Sequence, residues 1–568
     1  MNVMVSMRPD LCHLLVQGEA LDPEEEATLR RHLETPMDRP MEVTFFESEW
    51  FDPVRVADLA AFSRRNPGNC VTVYHPHLFA YLHGLGISVR LVVPDPPPVR
   101  ERRFAALALG GSTGSLEKLL QILRDLPSGA LALFVVQHVP EETPNLLDRI
   151  LTTESHYRVE MPHNMTPIRP GTLYVAPSGY NMRVGNGLVY VTRDARIHHA
   201  RPSIDALFES VARAYGATAM AMLLCGHGRD GVEGLACVRE LGGLSLAEDP
   251  GECGEASGLV AAALENGACN HVLPVSALAS FAAAAALGDS PLTAGVMRVF
   301  LAAVAQCHGY DFTHYREESL LRRCGVAMTG ERTASFFAFQ ELVLTTPAAF
   351  ERFFFALSIN VTHFFRSPGQ FLCLRDEVFP CLASFPRIKI WVAGCATGEE
   401  AYSLAMLLDE AGLLARSSIY ATDINPLVLK EARNGLYPAH GLAQARVNHA
   451  LAGGARPFDD HCAIREHWFA IAPGLREKLF FYHHSLVSDG PFNEFQLILC
   501  RNLLIYFDEE LQARVIGLFI RSLHHDGRLM LGPSESLWRI AGADRLMPVN
   551  EKMRLYRVRE VEEVEHDG

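Results

Sequence analysis

Two glycine-rich turns carry the residues best suited to chemistry, and each follows an apolar run. The first, Ala106-Leu107-Ala108-Leu109-Gly110-Gly111-Ser112-Thr113-Gly114, presents a hydroxyl at a helix start. A serine placed there can act as a nucleophile when an imidazole takes its proton and a carboxylate orients the imidazole. His138 closes the run Phe134-Val135-Val136-Gln137, and Asp230 lies in Gly226-His227-Gly228-Arg229-Asp230-Gly231. Backbone amides of the Ser112 turn or of the 226–231 loop are candidate oxyanion donors. Taken singly these features are ordinary. A GGSTG turn also cradles phosphates, Asp-Gly is a common turn, and His138 is one of 24 histidines.

The second turn is Ile388-Lys389-Ile390-Trp391-Val392-Ala393-Gly394-Cys395-Ala396-Thr397-Gly398-Glu399-Glu400. Bare backbone at Gly394 and Gly398 lets a ligand approach closely, and Glu399 stands at a helix start. A second strand-like run ends in Asp423, whose carboxylate suits a ribose diol. A third, Phe495-Gln496-Leu497-Ile498-Leu499-Cys500, ends in Arg501-Asn502. The layout is Rossmann-like, but the glycines do not follow GxGxxG, so a nicotinamide cofactor is the weaker inference.

The elements that must position these residues fall into several domains. A length of 568 residues predicts about three to five of them. A proline-rich, charged stretch at 94–103 reads as a linker, and Gly288-Asp289-Ser290-Pro291 as a second boundary. The pieces are 1–95, 104–288 and 292–558, followed by a short acidic tail. Within 104–288, apolar runs at 131–136, 171–176 and 219–224 alternate with helical patterns. That alternation predicts a doubly wound parallel sheet with sites at its carboxyl edge. The fold class is therefore α/β, multidomain. Net charge is −15, which disfavours nucleic acid as a partner of the whole chain. Thirteen cysteines lack CxxC pairs or Cys/His metal spacing, so reduced thiols, a cytoplasmic setting and no metal are expected.

Residues 104–288 resemble the catalytic domain of chemotaxis protein-glutamate methylesterases. The matching blocks are Gly111-Ser112-Thr113-Gly114, Val136-Gln137-His138-Val139-Pro140, Tyr174-Val175-Ala176-Pro177-Ser178-Gly179, Arg201-Pro202-Ser203-Ile204-Asp205-Ala206-Leu207-Phe208 and Gly226-His227-Gly228-Arg229-Asp230-Gly231. The resemblance implies a triad of Ser112, His138 and Asp230 that hydrolyses glutamyl methyl esters and deamidates certain glutamines on chemoreceptors. This chain departs from the family at His227, usually methionine, near Asn181, usually histidine, and at Glu248, usually glutamine.

Residues 292–558 resemble the glutamate methyltransferases of bacterial chemotaxis, which use S-adenosylmethionine. Here the blocks are Asn360-Val361-Thr362-His363-Phe364-Phe365-Arg366, the stretch 391–403, Ala421-Thr422-Asp423-Ile424-Asn425, Cys500-Arg501-Asn502-Leu503-Leu504-Ile505-Tyr506-Phe507 and Gly532-Pro533-Ser534-Glu535-Ser536-Leu537. The resemblance implies cofactor contacts from Asn360, Thr362, Arg366, Glu399, Asp423, Arg501 and Asn502, and from Ser485, which stands where the family has asparagine, with Leu486 after it. It places Arg366 and Tyr506 near the methyl-transfer centre. It also implies a helical subdomain over 292–382, a Rossmann-like domain over 383–558 and a small β-subdomain near 438–476. Residues 1–95 loosely resemble a STAS domain, with Asp52 followed by Pro53 where a phospho-acceptor is usual; another small α/β module fits nearly as well.

The expectation is a cytoplasmic fusion that sets chemoreceptor methylation. Its partners would be the cytoplasmic helices of methyl-accepting receptors and a regulatory protein at the N-terminal module. It would sit beside a receptor array rather than inside the membrane. The alternatives are a scaffold with one or both sites silent, or the same chemistry on a non-receptor substrate.

Overall fold

The computed structural model describes residues 3–7, 12–17, 23–35, 40–46, 51–73, 76–92, 103–129, 131–139, 146–358 and 362–559. The chain gathers into two compact units, one of Met1–Pro96 with Leu357–Gly568 and one of Pro97–Ala356. Among the described residues no helix is long and apolar enough to cross a membrane.

The Pro97–Ala356 unit is built on a seven-stranded sheet whose neighbouring strands all run parallel. Its order is His271–Leu273, Leu244–Glu248, Ala219–Leu223, Ala106–Gly111, Ala132–Gln137, Thr172–Val175, Arg158–Glu160. The central strands are buried along their whole length, which is why they read as continuous apolar runs. From Ala106–Gly111 the chain winds outward one way, then returns to the other flank. The crevice of such a sheet opens where the order reverses, and Ser112 follows that strand. A separate three-stranded antiparallel sheet, from Asn181–Gly185, Leu188–Thr192 and Thr166–Pro167, lies outside the alternating pattern and was not legible in it.

The segment from 292, expected as a helical subdomain of the methyltransferase, has its helices through 356 packed within the Pro97–Ala356 unit. The reason lies in the helix Val275–Leu287, VSALASFAAAAAL, which carries no charge on any face. A helix apolar all round must be covered all round. Phe337 meets Phe281 edge-on at 5.5 Å, and Ser280 Oγ donates to Gln340 Oε1 at 2.7 Å. His271 and Glu341 pair at 3.0 Å. Helices Ala294–His308 and Phe336–Thr345 supply this cover.

The other unit contains a seven-stranded sheet in the order Leu479–His483, Ser417–Asp423, Ile388–Ala393, Phe495–Cys500, Leu523–Leu531, Leu555–Val558, Leu546–Asn550. The first five strands are parallel and the last two run antiparallel to their neighbours. A small antiparallel sheet of Leu436–Pro438, Trp468–Ile471 and Cys462–Ile464 projects from it.

The N-terminal residues form a five-stranded sheet in sequence order, with an antiparallel first pair and parallel partners thereafter. Helices Pro23–Glu34, Pro53–Arg65 and Pro76–Gly84 connect the parallel strands. The core of this module takes in Leu436, with Trp468 and Ala470 packed against it. Asn434 Nδ2 also donates to the Phe51 carbonyl at 3.0 Å. The first sheet and the small antiparallel sheet thus share one apolar interior.

The covered helix yields a test. A fragment spanning 103–356 is expected to melt at least several degrees above one ending at 290, because the shorter fragment exposes Phe281 and the alanine face around it. Equal melting temperatures by circular dichroism would show that the phenylalanine-rich helices are not needed for cover.

Candidate active sites

In the first site the backbone sets the positions. Ser112 N donates to the Cys225 carbonyl at 2.9 Å, and His138 N to the Gly111 carbonyl at 3.0 Å. A Cβ on Gly226 would lie 2.4 Å from Ser112 Cβ, so only glycine lets the 226–231 loop close over the serine. Ser115 Oγ and Gln137 Nε2 both donate to the Ser112 carbonyl at 2.6 Å and lock the turn.

His138 Nε2 meets Asp230 Oδ2 at 2.9 Å. Asp230 is buried and accepts from Ser203 Oγ at 2.8 Å, Ile204 N at 2.7 Å and Asp205 N at 3.1 Å. It therefore sits on the N-terminus of helix Ile204–Tyr215, whose exposed amides and dipole favour an anion. Burial alone would raise its pKa. The hydrogen bond from His138 and the two amides outweigh burial and hold the carboxyl below its ordinary value. Neighbouring Asp205 is pushed up to about 6, by burial first and by the Asp230 charge, against the amides of Gly234 and Gly231. With Nε2 directed at Asp230, Nδ1 is the ring nitrogen on the side away from that carboxylate. The three residues singled out from sequence thus share one carboxyl edge, and a cavity of about 390 Å³ opens over them. Its rim carries Arg196, His198, His199, Arg201, His227 and Arg229.

Two departures from the family pattern find physical answers. Glu248 is fully buried and accepts Cys225 N at 2.9 Å, and Lys118 Nζ pairs with its other oxygen. Lys118 also donates to the Glu252 carbonyl at 2.9 Å. Lys118 neutralises the acid that replaces a neutral amide, beneath the loop that covers Ser112. Asn181 takes Ser203 N on Oδ1 at 3.1 Å and so holds the N-cap of the helix that carries Asp230's donors.

The second site lies along the carboxyl edge of the other sheet. After Ile388–Ala393, the backbone turns through Gly394 (φ 71°), Ala396 (φ 46°) and Gly398 (φ 92°) into the helix Glu399–Glu410. A Cβ on Gly398 would sit 2.9 Å from that of Ala432. Asp423 ends the adjacent strand. Its Oδ2 accepts Ala396 N at 2.9 Å and its Oδ1 accepts Asn425 N at 3.0 Å. Each oxygen keeps a second lone pair for a diol. Burial raises the Asp423 pKa, against those amides. Glu399 is pushed up to about 7 by burial, with the Thr397 hydroxyl donating to it at 2.6 Å.

Arg501 and Asn502 follow the strand Phe495–Cys500. The Arg501 side chain is enclosed: it pairs with Glu400 at 2.9 Å, donates from Nε to Gln370 Oε1 at 2.9 Å, and donates to the Arg366 carbonyl. It lies 5.0 Å over the Phe371 ring. These contacts make Arg501 a brace for the turn carrying Arg366. Asn502 adopts φ 61°, and its amide, with those of Leu503 and Leu504, donates to the buried Glu535 at 3.0, 2.8 and 2.7 Å. Tyr506 ends the short 3-10 turn Leu504–Tyr506 that follows. Ser485 and Leu486 follow the strand Leu479–His483; both are largely buried, and Ser485 N donates to Asp489 Oδ2 at 2.8 Å. Thr362 is half-buried in the turn before Arg366, and Asn360 lies outside the described residues. Glu400, Gln370 and Glu535 were missed as site-building residues. The block Gly532-Pro533-Ser534-Glu535 was the available signal for the last.

Family models match residues in both units. The CheB methylesterase family model matches residues 107–281, and the model described as CheR methyltransferase, SAM binding domain, matches 360–553. A Pseudomonas putida protein that bears the name methyltransferase Cher3 is 42% identical over 261 residues, 46% of this chain and 96% of that protein. A Listeria monocytogenes chemotaxis protein methyltransferase is 32% identical, over 40% of this chain and 85% of its own length. An Anaeromyxobacter dehalogenans protein-glutamate methylesterase/protein-glutamine glutaminase is 36% identical over 32% of this chain. This chain spans about half the length of that relative, 53%. The chain belongs to the CheR methyltransferase family and carries a CheB methylesterase domain ahead of the S-adenosylmethionine-binding one.

The residues present fit S-adenosylmethionine: a half-buried carboxylate with spare lone pairs ends the second strand, and a turn with glycines at positive φ follows the first. Two predictions follow from the charges. Lys118→Met leaves Glu248 buried without its cation and is expected to cost about 3–5 kcal/mol of stability. Adding Glu248→Gln should recover most of that, read by denaturant unfolding. Glu399, with its pKa near 7, is mostly protonated at pH 6 and mostly ionised at pH 8. A cationic cofactor prefers the ionised form, so calorimetric affinity for S-adenosylmethionine should rise with pH across that window. Glu399→Gln should flatten the profile.

Proposed function

We propose that this chain installs and removes the same bond, the methyl ester of glutamate side chains on the cytoplasmic helices of methyl-accepting chemoreceptors. The observation that carries the reading is the pairing of Ser112, His138 and Asp230 at one sheet edge with an S-adenosylmethionine domain in one chain. The relatives' names, chemotaxis protein methyltransferase and protein-glutamate methylesterase/protein-glutamine glutaminase, support the substrate class. So does the rim of three arginines and three histidines around Ser112, which suits an acidic helix.

In the hydrolytic direction, Ser112 Oγ attacks the ester carbonyl while its proton passes to His138 Nδ1. The tetrahedral oxyanion needs amide donors. The amides of Ser112 and Gly226 are committed to the carbonyls of Cys225 and Ala256, so those of Thr113 and His227 are the donors we assign. Collapse expels methanol, which takes the proton from His138. Water then repeats the sequence on the acyl-serine and releases the glutamate carboxylate. An amide substrate would leave as ammonia by the same route, which is glutamine deamidation. Asp230 holds the imidazole in the required tautomer throughout.

In the synthetic direction, S-adenosylmethionine supplies an electrophilic methyl group. Asp423 would hold the ribose, Glu399 the cationic portion, and the turn bearing Arg366 together with Tyr506 would align the incoming carboxylate. Arg501 contributes by bracing that turn. Alignment is the main contribution available to the protein in such a displacement.

We also assign the protein to the cytoplasm, beside its receptor array. The strand and helix order of the N-terminal module supports a STAS-like interaction domain that receives a regulatory protein. Running both activities unchecked would consume cofactor without net change, so that module is assigned reciprocal control of the two rates.

The test uses full-length protein, receptor cytoplasmic fragment and methyl-labelled cofactor. Ser112→Ala should lower methanol release by about 10³-fold or more and leave label incorporation intact. Asp423→Ala should abolish incorporation and leave release from premethylated receptor unchanged. Undiminished release from Ser112→Ala removes the serine from its role, and labelling of small acids in preference to receptor overturns the substrate assignment.

A further inference from the structure

A cluster in the methyltransferase unit takes no part in either reaction. Glu410 ends the helix Glu399–Glu410, His449 lies in the last turn of Leu442–Leu451, and His461 closes the 3-10 turn Phe458–His461. The two imidazoles are 2% exposed and the carboxylate 5%. His449 Nε2 and His461 Nε2 approach the same oxygen, Glu410 Oε1, at 3.0 and 2.8 Å.

We propose that Glu410, His449 and His461 are the protein ligands of a structural zinc ion. Two imidazoles and one carboxylate are a common zinc ligand set, and one water completes a tetrahedron. Bonds of about 2.0–2.1 Å place tetrahedral ligand atoms about 3.3–3.4 Å apart. Moving each nitrogen a few tenths of an ångström from the oxygen reaches that spacing. The rings stand at 81° with centroids 5.6 Å apart, so their nitrogens converge and the rings do not stack.

The surroundings hold the set in place. Glu410 Oε2 accepts Ala455 N at 2.7 Å, which fixes the carboxylate and leaves Oε1 to face the nitrogens. A Cβ on Gly454 would fall 2.3 Å from the His449 ring, so the backbone closes directly on the imidazole. Phe365 and Phe458 stand 4.9 and 5.9 Å from that ring and pack against the imidazole. The cluster lies apart from both sites described above, so the ion's role is structural. Among the described residues, a second buried cluster, Cys225, Glu248 and Cys253, already contains a cation in Lys118 and makes no comparable claim.

The zinc would fasten three segments distant in sequence. It would also bear on the cofactor site, roughly 16 Å away along the helix that begins at Glu399. His449 packs against Phe365, and Asn448 Nδ2 donates to the Phe364 carbonyl at 3.0 Å. Those two phenylalanines precede Arg366.

The test strips full-length protein with a chelator and titrates it with zinc chloride against a chromophoric competitor. One equivalent should bind, and it should raise the melting temperature by several degrees. Co²⁺ in its place should give the visible bands of a tetrahedral nitrogen and oxygen site. His461→Gln keeps an amide donor for Glu410, so its metal-free form should melt with metal-free wild type. It should bind zinc at least tenfold more weakly and gain no thermal stability from it. Cys225→Ser should bind as wild type does. Failure of wild type to bind one equivalent at micromolar zinc overturns the proposal and leaves a hydrogen-bonded cluster only. Undiminished binding by His461→Gln, or loss that follows Cys225→Ser, overturns it as well.

Discussion

A carboxylate withdrawn from water must find donors or a cation, or it costs several kcal/mol. This chain buries several of them, wholly or in part, where its backbone has to be held. Asp230 takes two helix-start amides and a serine hydroxyl, Asp423 takes two turn amides, and Glu535 takes three amides of the segment after Cys500. Glu248 takes one amide and a lysine. Apart from Asn425, two residues past Asp423, each of these donors lies at least 23 residues from its acid. The loop cannot move without stranding the charge, so the demand for hydration becomes a positional restraint.

The two sites use the same device for different ends. At the esterase site the restraint falls on the base: the amides that lower Asp230's pKa also fix the imidazole that meets it. At the methyltransferase site the restraint falls on the cradle. Asp423 ties Ala396 to the end of the neighbouring strand, and Arg501 ties Glu400, Gln370 and the Arg366 carbonyl together. Burial raises the Glu399 pKa there, with the Thr397 hydroxyl opposing the rise.

The parallel strands were legible because both faces are buried and their apolar runs are unbroken, and the glycine turns were legible because few other residues fit them. From those two signals Ser112, His138 and Asp230 could be placed at one edge before any contact was known. The pairs that complete the sites were not legible. Lys118 and Glu248 are 130 residues apart, and Arg501 and Gln370 are 131 apart. No local period marks such partners. The packing partner of the aromatic helices after residue 292 was not legible for a related reason. Their sequence shows that they need an apolar partner, and only the bare alanine helix Val275–Leu287 shows which one. Arg501, expected beside the cofactor, also pairs with Glu400 and donates to Gln370, partners that its motif does not mark.

The shared interior of the N-terminal module and the small antiparallel sheet has a consequence for synthesis. Tyr81 and Leu436 contribute to one core, yet the ribosome must add roughly 350 residues between them. At about 5–20 residues per second that interval is about 20–70 s. The first sheet waits through it with the apolar surface destined for Leu436 and Trp468 uncovered, while the whole esterase unit, encoded in between, can emerge and fold.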